Sequence, residues 1–108
     1  MAKTEKTLNG DFDQILKKIE SGILNTSTSA TLEESSNFVS GDARCSVRVF
    51  ERYSFAGQNR VSLTVTLFQN GNEPIRLSAI TSGGSQAALF EINTVGEETF
   101  LKKLNEII

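Results

Sequence analysis

The sequence predicts an α+β domain, and three observations predict it. Two segments repeat apolar residues at helical spacing, one near each end of the chain. Between them, long stretches alternate apolar and polar residues with the period of a strand. Gly- and Asn-rich turns punctuate those stretches closely enough to demand hairpins, and hence antiparallel pairing. The expected order is β-α-β-β-β-β-α, with a meander sheet and both helices packed on one of its faces.

Residues 2–9 read as a short strand, with Lys3, Glu5 and Thr7 on one face and Thr4, Lys6 and Leu8 on the other. After the Asn9-Gly10 turn, Asp11 and Gln14 form a capping-box pair that starts a helix. Phe12, Ile15, Leu16, Ile19 and Ile23 form its apolar stripe, and Gly22 suits a left-handed C-terminal stop. Residues 26–38 read as a long, weakly amphipathic strand with Leu32 and Glu34 on one face. A turn at Ser40-Gly41-Asp42 leads to a strand over 43–55. Ala43, Cys45, Val47, Val49, Tyr53 and Phe55 are expected inward, and Arg44, Ser46, Arg48, Phe50 and Arg52 outward.

After an expected hairpin loop at 56–59, residues 60–69 place Val61, Leu63, Val65 and Leu67 inward and Arg60, Ser62, Thr64, Thr66 and Phe68 outward. Asn70-Gly71 is the strongest hairpin signal in the chain. It precedes a strand over 74–82, with Ile75, Leu77 and Ala79 in and Arg76, Ser78 and Ile80 out. Ser82-Gly83-Gly84-Ser85 ends that strand, and residues 87–92 read as a further short strand or a covering loop. Thr94 with Glu97 caps a last amphipathic helix carrying Phe100, Leu101, Leu104, Ile107 and Ile108.

Composition narrows the function classes. The 108 residues suit one ordinary domain, and a net charge of −2 gives no general attraction to nucleic acid or to acidic membranes. The polar first six residues lack a signal peptide's apolar core, and the lone Cys45 suits a reducing compartment, so a cytoplasmic protein is expected. With no histidine, no cysteine pair and no clustered aspartates, the chain offers no pattern for zinc, EF-hand calcium or a histidine-dependent triad. No catalytic residue and no cofactor stands out, so the expectation leans away from an enzyme.

Two candidate sites remain. One is a small-molecule pocket between sheet and helices, rimmed by Glu51, Tyr53, Thr81, Gly83 and Gly84. The other is an outward sheet surface where all five arginines, Arg44, Arg48, Arg52, Arg60 and Arg76, interleave with Phe50 and Phe68. That surface suits a homodimer or partner interface, or more weakly an anion or nucleic acid, and it is also what a plain solvated sheet would carry. Cys45, in register with Val47 and Val49, reads as an inert thiol.

The element order resembles the TATA-binding-protein-like fold and a reduced helix-grip fold. The stretches Gly10-Asp11-Phe12, Glu51-Arg52-Tyr53, Ser82-Gly83-Gly84-Ser85 and Gly96-Glu97-Glu98 resemble a small bacterial family of unknown function. The helix-grip resemblance implies a cavity under the C-terminal helix. The family resemblance implies no activity.

Overall fold

The computed structural model describes residues 1–54, 59–83 and 100–108. Strands β1 (Ala2–Leu8), β2 (Thr31–Ser40), β3 (Ala43–Ser54), β4 (Asn59–Asn70) and β5 (Ile75–Gly83) form one antiparallel sheet in the order β1-β5-β4-β3-β2. Helix α1 (Phe12–Leu24) connects β1 to β2, the two edge strands, and so crosses the whole sheet. Residues 100–107 form helix α2. This is the expected α+β order. The expected loop at 56–59 and Phe55 fall outside the described residues, apart from Asn59, which opens β4. So do Gly84, the 87–92 segment and the Thr94–Glu97 cap.

Asp11 caps α1 as its sequence suggests: its carboxylate accepts the Gln14 backbone N–H at 2.9 Å. A 13-residue helix is marginal alone, so its persistence rests on tertiary burial. Phe12, Leu16, Ile19 and Ile23 supply that burial against Val61, Leu63, Val65 and Leu67 of β4, Ile75, Leu77 and Ala79 of β5, and Phe100, Leu101 and Leu104 of α2. Each such side chain contributes about 1.5–3 kcal/mol when fully buried.

Gly22 is not the stop that was expected. The helix runs through it to Leu24, and Asn25 caps the end in a right-handed conformation. A Cβ at Gly22 would lie 2.6 Å from Ile107 Cδ1, so the glycine lets the end of α2 approach α1. Gly41, by contrast, does require its residue type: it sits at φ 57° in the two-residue link between Ser40 and Ala43.

Strand β2 begins later than expected, at Thr31, because Ser27–Ala30 form a turn closed by the Ala30 N–H to the Ser27 carbonyl. Its register shifts between Leu32 and Glu34, so Glu34 pairs with Val49 instead of following Leu32 on the helix side.

The largest departure concerns β3. Directly paired residues share a face, and Phe50 pairs with the buried Leu63, Arg48 with Val65 and Ser46 with Leu67. Arg44, Arg48, Phe50 and Arg52 therefore lie on the helix side, not outward. Cys45, Val47, Val49, Glu51 and Tyr53 lie on the helix-free side, not inward. Phe50 is fully buried and Arg48 is 7% exposed.

The physical cause is the position of β3 at the margin of the core. Arg44 stacks 3.9 Å over the Phe12 ring and bonds Asp13 at 2.8 Å. Arg48 Nε donates to Glu20 at 2.9 Å, and its Nη1 donates to the carbonyls of Ser36 and Val47. Arg52 lies 4.7 Å from the Phe100 ring centroid. Long arginine stems thus close the side of the core while helix carboxylates and rings hold their heads.

Candidate functional site

Among the described residues one face of the sheet carries no helix, and that helix-free face is the candidate site. Strand register arranges it in cross-strand rows. One row runs Thr7, Arg76, Phe68, Cys45, Phe38 from β1 to β2. The next runs Glu5, Ser78, Thr66, Val47, Ser36, and the third Lys3, Ile80, Thr64, Val49, Glu34. Ser82, Ser62, Glu51 and Thr31 form the fourth, with Arg60 and Tyr53 beyond it.

This face exposes several large apolar groups, as the helix side of β2 exposes Val39 and Leu32. Phe38 is 63% exposed, Tyr53 47%, Ile80 41% and Phe68 39%, with Cys45, Val47 and Val49 half-buried among them. Scattered exposed apolar residues need no explanation, but a contiguous set on one face marks an interaction surface. Strand β2 adds to the exposure, since all ten of its residues are exposed.

Charge lies toward the borders. Lys3 pairs with Glu5 at 3.6 Å on β1, and Arg60 bonds Glu51 at 2.7 Å at the far end, with Glu33 at 3.9 Å. The central strand β4 shows this face only Ser62, Thr64, Thr66 and Phe68 between Arg60 and Asn70. Ser62 and Ser82 share a 2.6 Å hydroxyl contact. An open trough of about 390 Å³ runs beside Arg76, lined by Glu5, Thr7, Thr66, Phe68 and Ser78.

The expected residue sets separate. Of the arginine–phenylalanine surface, only Arg60, Phe68 and Arg76 lie on the helix-free face. Arg44, Arg48, Phe50 and Arg52 belong to the other side. Of the pocket set, Glu51 and Tyr53 are also on the helix-free face, and Thr81 is buried on the helix side. The Thr81 hydroxyl accepts the Ala2 N–H at 3.2 Å and donates to the Ala2 carbonyl at 3.3 Å, so it pins the start of β1. Gly83 pairs with Val61 at the end of β5, and Gly84 falls outside the described residues.

Two shifted groups flank the arginine seam on the helix side. The hydrogen bond from Arg44 holds the Asp13 carboxyl below its ordinary value, helped by the charges of Arg44 and Lys17 and opposed by partial desolvation. Burial lowers Arg52 from its ordinary value, which is so high that the guanidinium stays charged. Both belong to the margin of the core.

Sequence reasoning missed Val47, Val49 and Phe38 as surface residues. A signal was present: Asp13 and Glu20 lie two helical turns apart, about 10 Å. Arg44 and Arg48 lie about 13 Å apart along a strand. That matched spacing suits a helix–strand seam of ion pairs.

Among the described residues, no helix is long and apolar enough to cross a membrane. The model of the family of unknown function DUF6054 matches residues 1–108, and the chain belongs to that family. No curated protein and no solved structure matches the chain, so the TATA-binding-protein-like and helix-grip resemblance rests on element order alone.

Proposed function

We propose that this DUF6054 chain is a non-enzymatic interaction module whose helix-free sheet face docks against an apolar protein surface. One observation carries the reading: Val47 and Val49 of β3 turn away from the core and join Phe38, Phe68 and Ile80 on one face that carries no helix among the described residues. A core can be filled without exposing such a set, and leaving it wet costs solubility without adding stability. The uncharged β4 centre with charged borders matches the anatomy of docking surfaces.

The pocket alternative has less support. Ile19, Phe50, Phe100 and Leu104 are fully buried between sheet and helices, so a ligand there would have to displace packed side chains. Anion binding through an arginine platform loses Arg44, Arg48 and Arg52 to the other face.

The test is site-directed photo-crosslinking of the full chain in cells, with a benzophenone-bearing phenylalanine at Phe68 and, as control, at the exposed Lys18 of α1. A defined protein adduct is expected from position 68 alone, and it should disappear in the Val47→Lys background. No adduct from position 68, or adducts indifferent to Val47→Lys, would overturn the reading.

A further inference from the structure

We infer that the occupant of this face is a second copy of the chain, stacked sheet on sheet about a two-fold axis parallel to β4. The inference rests on the face being a docking surface and names its partner. Strand β4 is the middle of five strands. A two-fold along it therefore lays β1 over β2 and β5 over β3 of the other copy, and keeps each cross-strand row in place.

The three rows from Lys3, Glu5 and Thr7 are compatible with that operation, while Arg60 at the end of β4 meets its own counterpart at the axis, where its bond to Glu51 offsets the like charge. In the row Lys3, Ile80, Thr64, Val49, Glu34, the two ends carry opposite charge. Lys3 of one copy then meets Glu34 of the other, twice, and Ile80 meets Val49. In the row containing Phe68, that ring meets its own counterpart at the axis. The positive Arg76 moves over Cys45, away from any like charge.

Size agrees. Five strands at about 4.8 Å spacing and roughly 30 Å of mean length give about 700 Å² per copy. The pair would bury about 1,400 Å², within the range of stable interfaces. Aligned packing of two sheets about 10 Å apart is an ordinary arrangement. Edge-to-edge pairing through β2 is the competing geometry. The register shift at Leu32/Glu34 and the carboxylates of Glu33 and Glu34 guard that edge against it.

Sedimentation velocity on the purified full chain over a concentration series tests this, with the variants Lys3→Glu, Glu34→Lys and their combination. The wild type is expected to reach twice 11.8 kDa. Each single variant should raise the dissociation constant about tenfold, and the double should return to within about threefold of wild type. Rescue cannot arise inside one chain, because β1 and β2 stand about 19 Å apart, beyond the screening length. Both positions are exposed, and unchanged thermal unfolding of the single variants in protein dilute enough to be monomeric would show that the fold is kept.

A wild type that stays monomeric at millimolar concentration overturns the inference. So does a dimer whose singles are silent or whose double is not rescued. If the chain is monomeric while the Phe68 crosslink captures a different protein, the second copy is excluded and the docking reading survives. If the chain is monomeric and no crosslink forms, both fail.

Discussion

Strands β3 and β4 are neighbours of equal length with equally clean alternation, yet they use their faces in opposite ways. β4 turns Val61, Leu63, Val65 and Leu67 to the helices and its hydroxyls outward. β3 turns Arg44, Ser46, Arg48 and Phe50 to the helices and Cys45, Val47 and Val49 outward. The difference follows from distance to the core axis. β4 lies under the helices, where only apolar side chains fit without desolvating charge. β3 lies at the flank, where an arginine stem can cover the core and its head can still reach Asp13 or Glu20. Alternation alone thus identifies two faces of a strand but not which one is buried.

The comparison breaks most sharply at two phenylalanines that the sequence places together. Phe50→Ala should destabilise the chain by about 3–5 kcal/mol, the cost of emptying a large buried aromatic site. Phe68→Ala, on the uncovered face of β4, should cost about 1 kcal/mol or less in protein dilute enough to be monomeric. Urea unfolding of both variants measures the gap. Equal losses, or a larger loss at Phe68, would reverse the assigned faces of both strands.

A second test isolates the arginine seam. Glu20→Ala leaves the largely buried Arg48 guanidinium with backbone carbonyls but no carboxylate. Losing the partner of a buried charged group should cost about 1.5–3 kcal/mol. Replacing the pair together, as Glu20→Leu with Arg48→Met, should recover most of that loss, since apolar groups of similar volume often substitute for buried ion pairs. If Glu20→Ala is silent in chemical unfolding, Arg48 does not depend on its helix partner.

Much of the fold was legible because local chemistry and tertiary role agree. Asp11 reads as a cap and is one, and Phe12, Leu16, Ile19 and Ile23 read as a buried stripe and are one. The helix-side residues of β4 and β5 follow the same logic. Legibility failed where the role of a residue is set by what lies across from it. Gly22 looks like a helix stop, but Ile107 gives it its purpose from the far end of the chain. Glu34 looks inward by parity until the β2 register shift turns it over. The candidate site suffered most, because it depended on β3: the residues that looked like surface close the core, and those that looked like core form the surface. Arg60, Phe68, Arg76 and Thr81 kept their expected side, since β4 and β5 lie fully under the helices.

The smallest expected effect concerns the outer end of the seam. Asp13 is held below its ordinary value by the hydrogen bond from Arg44, so its folded carboxyl titrates lower than its unfolded one. A depressed carboxylate contributes its stability above the unfolded value, about 4, and loses it as pH falls through the folded value. The pair is exposed, with water screening its charges, so the change in unfolding midpoint below pH 4 should be slight. The titration itself is the sharper reading. In carboxyl-detected NMR, Asp13 should titrate below the ordinary aspartate value, and Arg44→Gln should return it toward that value. An Asp13 midpoint that ignores Arg44→Gln would mean that the guanidinium rests on the Phe12 ring without engaging the carboxylate. The seam on β3 would then be held by stem burial and stacking at this end, and by charge only at Arg48.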